Sequence, residues 1–213
     1  MTHLRWPTLL FDLDGTLANS IDLIVASYDY AFVSVTGRGV TREQACRWIG
    51  QTLQSTFQVE DPEHAAQLEA AYRAYNMAHL DQIKNYPGVA NLLEDLRAAG
   101  AATGVVTAKG RDAADASLKQ LGLDALIEVA CTREDTTAHK PDPAPLLAGL
   151  ARLGASPGQA AYIGDATWDV LAAQAAGMAA IAVTWGAGQR DELAALHPDA
   201  LIGDALELRS LLL

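Results

Sequence analysis

Two pairs of aspartates stand out because of their spacing and the residues before them. Asp12 and Asp14 lie two residues apart just after the apolar run TLLF, and Asp165 and Asp169 lie four apart just after AAYIG. The first pair stays on one side of a continuing strand, and the second shares one face of a helix. Carboxylates this close repel each other unless a cation lies between them, and magnesium prefers oxygen ligands. The spacing predicts a metal site, with Asp165 a better direct ligand than Asp169 because it adjoins the strand end.

Two further stretches could hold a phosphate group. Thr107 ends the apolar run ATGVV and is followed by Ala108, Lys109 and Gly110, so a hydroxyl and several backbone amides lie at a predicted helix entry. Backbone amides at the start of a helix bind anions. Lys140 lies in HKPDP, where the following proline favours an extended and well-defined backbone. An ammonium group held there would neutralise both carboxylate and phosphate charge.

Each of these signals is weak when taken alone. Asp165 and Asp169 would also suit the positive end of a helix dipole without any metal. Thr107 could simply end a strand, and Lys140 could be a solvated surface lysine. The combination is informative because all four stretches follow predicted strands or begin predicted helices. Ligands of open parallel sheets bind at the carboxyl ends of the strands.

Short apolar runs separated by helical patterns must position these residues. The predicted strands are 8–12, 102–107, 126–131, 160–164 and 179–184. The predicted helices, each followed by a glycine within one residue, are 89–99, 111–121, 143–153 and 167–176. The alternation predicts an α/β protein with a parallel sheet that is covered by helices on both faces.

Residues 18–85 break this alternation. They contain no convincing strand and three helical patterns, at roughly 20–35, 42–57 and 62–80. We therefore expect residues 1–17 and 86–213 to form one α/β core domain, with residues 18–85 inserted as a helical domain.

The composition restricts the class of partner. The 213 residues carry a formal net charge of -11, whereas binding to a nucleic-acid backbone relies on a basic surface. No apolar run approaches the ~20 residues of a membrane span. We therefore expect a cytoplasmic protein that binds neither nucleic acid nor membranes.

The motifs FDLDGTL, the strand end at Thr107, Lys140 in KPDP, and GDATWD resemble, in order and spacing, the four motifs of the haloacid dehalogenase superfamily. The resemblance extends over essentially the whole chain. It implies a Rossmann-like core with strand order 5-4-1-2-3, in which residues 18–85 form a helical cap that closes over the site. Within residues 18–85, the stretches TGR, WIGQTL and YRAYNMAHLD resemble the phosphoglycolate phosphatase and PpaX-type pyrophosphatase branches.

The resemblance implies separate roles for the core residues. Asp12 would attack phosphorus to form an aspartyl-phosphate, and Asp14 would protonate the leaving oxygen and later activate water. Thr107, Lys140 and the backbone amide of Ala108 would hold the phosphoryl group. Many relatives carry Asn where Ala108 stands, so a side-chain amide is missing here but the backbone amide remains.

The resemblance also implies a bound magnesium ion. Its ligands would be Asp12, the backbone carbonyl of Asp14 and Asp165, with Asp169 behind them. The acid at Asp14 disfavours carbon–halogen chemistry, because the dehalogenase branch lacks an acid at that position. Phosphorus is therefore the expected electrophile.

Three residues are candidates for substrate recognition. Lys109 follows Thr107 as in phosphoglycolate phosphatases, and it would either meet a substrate anion or lie on the surface. Arg47 and Gly50 are the candidates in the helical segment, although Arg47 could belong to a solvated helix face and Gly50 could simply end a helix.

These observations predict a phosphatase that acts on a small phosphorylated metabolite, such as 2-phosphoglycolate, and that is a monomer or homodimer. An inorganic pyrophosphatase is an alternative, because of the YRAYN and HLD segments. A non-catalytic regulator that binds a phosphorylated ligand is another. The intact set of Asp12, Asp14, Lys140 and Asp165 disfavours that last alternative.

Overall fold

The computed structural model describes residues 4–213, which contain eight strands and ten α-helices. The strands are β1 (Thr8–Phe11), β2 (Ala18–Asn19), β3 (Lys84–Asn85), β4 (Ala102–Val106), β5 (Glu128–Cys131), β6 (Ala160–Gly164), β7 (Ala179–Val183) and β8 (Ala200–Ile202). The helices are α1 (Ile21–Thr36), α2 (Arg42–Trp48), α3 (Leu53–Glu60), α4 (Ala65–Ala78), α5 (Val89–Ala98), α6 (Arg111–Leu121), α7 (Ala144–Arg152), α8 (Thr167–Ala176), α9 (Arg190–Ala195) and α10 (Ala205–Leu212). In this range, no helix is long and apolar enough to cross a membrane.

Six strands form one parallel sheet with the order β5-β4-β1-β6-β7-β8. If only the predicted strands are numbered, β1, β4, β5, β6 and β7 are strands one to five, and they lie in the predicted order 5-4-1-2-3. The sheet continues beyond the fifth of these with β8, which the sequence analysis missed. The α/β class and the parallel core are confirmed.

Both faces of the sheet are covered, which explains why the central strands are apolar throughout. Leu9 and Phe11 of β1 point into a cluster with α5, α6 and α10, and Leu10 points into a second cluster with α7 and α8. All three side chains are fully buried. The central position of β1 places its carboxyl end between those of β4 and β6.

The helical segment (residues 18–85) differs from the prediction in two respects. Its ends pair as the antiparallel strands β2 and β3, so the chain enters and leaves the segment through one short ribbon. The helix predicted at 42–57 is two helices, α2 and α3. The break lies at Gly50, whose φ of 92° is in the left-handed region, and Thr52 then caps α3 by accepting a hydrogen bond from the Ser55 N–H.

The helical segment has an apolar cluster of its own. The ring of Tyr28 in α1 lies 4.7 Å from that of Tyr72 in α4 and 5.5 Å from that of Phe57 in α3, measured between ring centroids. Phe57 and Leu68 are fully buried there. Contacts between aromatic edges and faces add to the apolar burial that holds these helices together.

We expect Phe57→Ala to lower the free energy of unfolding by about 3–5 kcal/mol, because it leaves a cavity in this cluster. Val59→Ala is the matched control, since Val59 lies on the same helix and is 78% exposed. Its effect should stay within about 0.5 kcal/mol. Urea denaturation followed by circular dichroism measures both, and equal losses in the two variants would contradict the packing described here.

Candidate active site

The predicted site residues meet at the carboxyl edge of the sheet. The hydrogen-bond ladder continues one residue past two strands, because the Asp12 N–H donates to the Ile163 carbonyl (2.8 Å) and the Thr107 N–H donates to the Cys131 carbonyl (3.0 Å). Asp12, Thr107, Lys140, Asp165 and Asp169 are all buried. Strand ends thus fix the positions of Asp12 and Thr107, while Lys140 arrives from the loop between β5 and α7.

Lys140 lies at the centre of this cluster. Its Nζ donates to Asp169 Oδ1 (2.6 Å) and to the Tyr162 hydroxyl (3.0 Å), and it lies 3.2 Å from Asp12 Oδ1. Burial alone would lower the pKa of Lys140, but the carboxylates of Asp12 and Asp169 outweigh that effect and raise the pKa well above the usual value. Lys140 is therefore a buried cation. The sequence analysis missed Tyr162, which lies within an apolar strand and whose hydroxyl also donates to the Val106 carbonyl (2.9 Å).

Asp165 is fully buried and held by two donors. Its carboxylate accepts hydrogen bonds from the Thr16 hydroxyl (2.9 Å) and from the Ala187 N–H (2.7 Å). Burial raises the pKa of Asp165 well above its usual value, and the nearby carboxylates of Asp169 and Asp12 raise it further. The two donors counteract that rise, so they favour the ionised form.

Three glycine residues pack closely against Asp165. A Cβ atom added at Gly15, where φ is 82°, or at Gly186 would overlap the Asp165 carboxylate, and one added at Gly188 would overlap its backbone carbonyl. Gly15 lies within the FDLDGTL motif, whereas no sequence motif pointed to Gly186 or Gly188. The WGAGQ segment carries no charged or nucleophilic group, so only packing against Asp165 reveals its role.

The acidic cluster has the composition of a divalent-metal site. Asp12, Asp165 and Asp169 each bring a carboxylate oxygen within 4.8 Å of the others. Asp12 Oδ1 is buried and receives no hydrogen bond from the described residues. Three carboxylates face one ammonium, and a hard divalent cation with oxygen ligands would balance the excess negative charge.

Both carboxylate oxygens of Asp169 accept hydrogen bonds. Its Oδ1 accepts from Lys140, and its Oδ2 accepts from the Ala166 N–H (2.9 Å) at the start of α8. The two oxygens of Asp165 are engaged in the same way, so hydrogen bonding does not rank these residues as metal ligands. That Asp169 stands behind the direct metal ligands therefore stays a prediction, and the contact of Asp169 with Lys140 is an addition from the structure.

Asp14 points away from the acidic cluster. Its Oδ1 accepts from the Ser20 hydroxyl (2.7 Å) and from Lys109 Nζ (2.8 Å). The Lys109 side chain is only 13% exposed, so it is not the surface lysine that was one of the two alternatives. The sequence did not indicate the contact between Lys109 and Asp14, because these residues lie 95 positions apart.

A cavity of about 630 Å³ lies between the helical segment and the carboxyl edge of the sheet. Its wall on the sheet side includes Asp12, Asp14, Thr107, Ala108, Lys109, Arg111 and Arg133, and its wall on the other side includes Tyr28, Trp48, Gly50, Tyr72, Arg73 and Asn76. Gly50 thus meets the cavity as predicted. Arg47 does not line it, because this exposed side chain pairs with Glu43 one helical turn away (2.9 Å).

Comparison with known proteins agrees with this geometry. The family described as haloacid dehalogenase-like hydrolase matches residues 9–183. A pyrophosphatase, PpaX, from Anoxybacillus flavithermus is 36% identical over 206 residues, which is 96% of either chain. A solved structure of a candidate haloacid dehalogenase-like hydrolase from Bacteroides fragilis is 29% identical with a TM-score of 0.87, covering 96% of this chain and 100% of the other. A candidate phosphoglycolate phosphatase from Lactobacillus plantarum is 25% identical with a TM-score of 0.88, covering 98% and 100%.

The pKa of Asp12 generates a prediction about stability. Burial, opposed by Lys140 and reinforced by Asp169 and Asp14, raises this pKa from 3.8 to about 7. At pH values between these two pKa values, Asp12 therefore binds a proton more tightly in the folded state than in the unfolded state. In the presence of chelator, the free energy of unfolding of the protein should fall as the pH rises from about 4 to about 7. Asp12→Asn should make the free energy of unfolding depend less on pH over this range.

Urea denaturation at pH 5 and pH 8 in chelator checks this expectation. Asp22→Asn serves as the control, since Asp22 lies on the exposed start of α1 and has no contact with the acidic cluster. The control should keep the wild-type pH dependence. A wild-type protein that is more stable at pH 8 than at pH 5, or an Asp12→Asn variant with an unchanged slope, would contradict the raised pKa.

Proposed function

We propose that this chain, which belongs to the haloacid dehalogenase-like hydrolase family, is a magnesium-dependent phosphatase acting on small phosphomonoesters. One observation carries the proposal: Asp12 lines the cavity, and its buried Oδ1 lies 3.2 Å from the Lys140 ammonium without accepting a hydrogen bond from any described residue. A carboxylate nucleophile needs a free lone pair and a nearby positive charge that favours its ionised form.

In the proposed reaction, Asp12 attacks the phosphorus atom while the ester oxygen leaves on the opposite side. The Thr107 hydroxyl and the Ala108 amide would donate to the phosphoryl oxygens, and the charge of Lys140 favours the ionised form of Asp12. Asp14 protonates the leaving oxygen and later takes a proton from the water that hydrolyses the aspartyl-phosphate. Catalysis then depends mainly on fixed charges and in-line geometry.

Magnesium would be held by Asp12, Asp165 and the backbone carbonyl of Asp14. When bound, it would neutralise negative charge on the carboxylates and on the transferring phosphoryl group. The chain contributes the orientation of these ligands, since Thr16 and Ala187 fix Asp165.

The helical segment serves, in this proposal, as a cap over the α/β core formed by residues 1–17 and 86–213, of which residues 1–3 lie outside the described range. Its separate apolar cluster and its connection through the β2–β3 ribbon support this division. Gly50 lies close against Ala166 and Trp168 of the core, where a Cβ atom would come within 3.2 Å of both. A cap in this position excludes water from the transferring phosphoryl group.

Inorganic pyrophosphate is the second candidate substrate. The observation that favours it is the 36% identity with a PpaX pyrophosphatase across 96% of either chain. The chemistry at Asp12 would be the same, because in both substrates a phosphorus–oxygen bond to a leaving group breaks.

Phosphate release from 2-phosphoglycolate, pyrophosphate, sugar phosphates and nucleotides tests the proposal. We expect turnover that requires magnesium and stops in chelator, and we expect Asp12→Asn to reduce kcat by at least about a thousandfold, since it removes the nucleophile. Asp22→Asn should keep wild-type kcat. Turnover that persists in Asp12→Asn, or that is indifferent to chelator, would contradict the proposed mechanism.

The ratio of kcat/KM for phosphoglycolate to that for pyrophosphate, measured at equal enzyme concentration, decides between the two candidate substrates. A ratio above one supports the phosphomonoesterase. A ratio far below one supports the pyrophosphatase and contradicts the first proposal.

A further inference from the structure

Two arginines from different parts of the chain share one carboxylate oxygen at the cavity. Arg73, in α4 of the helical segment, donates through Nε to Glu69 Oε1 (3.0 Å). Arg133, in the loop after β5, donates through Nη1 to the same oxygen (3.0 Å). The side chains of Arg73, Arg133 and Glu69 are 34%, 25% and 22% exposed, so the group is partly shielded from water.

The two guanidinium groups lie beside Gly110, at the end of the predicted phosphate-binding loop (residues 107–110). A Cβ atom placed on Gly110, three residues after Thr107, would lie 2.8 Å from Glu134 Oε1, 3.3 Å from Arg133 Nε and 3.7 Å from Arg73 Nη1. Both arginines and Glu134 line the cavity, whereas Glu69 does not. The two guanidinium groups thus lie beside the loop that would hold a phosphoryl group, with one carboxylate next to them.

Arg133 also donates through Nε to Glu134 Oε1 (2.9 Å), and the two other cations on the cavity wall are paired elsewhere. Lys109 pairs with Asp14, and Arg111 pairs with Asp135 while also donating to the Val129 carbonyl. Only Arg73 and Arg133, among the cavity cations described, converge from opposite walls on a single oxygen. A guanidinium group has a planar set of donors that matches carboxylate and phosphate oxygens.

We propose that Arg73 and Arg133 form an oxyanion subsite for the leaving group, and that Glu69 occupies this subsite until the substrate's own anion replaces it. The preferred substrates would then carry a carboxylate or a second phosphoryl group on the leaving group. The inference rests on the proposed function and narrows its substrate class. An anion bound by both arginines would also link the cap to the core, because one arginine comes from each.

The first test compares three phosphate compounds: 2-phosphoglycolate and pyrophosphate, whose leaving groups are anionic, and glycerol 2-phosphate, whose leaving group is neutral. For Arg73→Met, kcat/KM should fall at least about tenfold more for the anionic pair than for glycerol 2-phosphate, mainly through KM, because charged hydrogen bonds are lost. Arg47→Met is the matched control, since Arg47 pairs with Glu43 at the same spacing but outside the cavity. It should match the wild type on all three compounds.

The second variant, Glu69→Gln, removes the competing carboxylate and leaves both arginines in place. Its KM for the anionic pair should fall relative to that for glycerol 2-phosphate. A purely structural ion pair predicts the opposite, namely an equal rise in KM for all three compounds as the cap loosens. Because Glu69→Gln does not depend on Arg73→Met folding, it tests the subsite independently.

The outcomes separate the two proposals. Equal effects of Arg73→Met on the three compounds, or no fall in relative KM in Glu69→Gln, would overturn the subsite but leave the phosphatase proposal standing. A wild-type enzyme that hydrolyses none of the three would overturn the proposed function and the subsite together. If the subsite is confirmed, the anionic compound whose kcat/KM falls more in Arg73→Met shows whether the subsite prefers a carboxylate or a phosphoryl group.

Discussion

Three carboxylates buried around one ammonium group are the constraint on which the site depends. Burying a charge is costly unless it is paired and hydrogen-bonded. Here Lys140 pairs with Asp12 and Asp169, and no described cation pairs with the buried Asp165. The surroundings partly offset this cost, because Thr16 and the Ala187 amide donate to Asp165 and the Ala166 amide donates to Asp169. The remaining excess of negative charge is the physical reason to expect a divalent cation in the working enzyme.

The fold satisfies this constraint by its strand order. With β1 between β4 and β6, the carboxyl ends of three parallel strands bring Asp12, Thr107 and Asp165 to one edge. Lys140 comes from a fourth stretch of chain, and the hydroxyl of Tyr162 accepts one of its hydrogen bonds. The helical segment supplies the opposite wall of the cavity.

Much of this arrangement could be predicted from the sequence, because the strand–helix alternation and the polar residues after each strand are local signals. Contacts between distant residues could not. The pairing of Lys109 with Asp14, the packing of Gly186 against Asp165 and the convergence of Arg73 and Arg133 on Glu69 all depend on tertiary structure. Strand β8 was missed because three residues carry too little periodicity.

The most direct test of the central claim is to trap the covalent intermediate on Asp12. Enzyme quenched during turnover and treated with borohydride should yield homoserine at position 12, because borohydride reduces an acyl phosphate but leaves a free carboxylate unchanged. Peptide mass spectrometry would detect this conversion in the presence of substrate and magnesium, and not in chelator. Homoserine at another position, or full turnover with Asp12 never modified, would contradict the account.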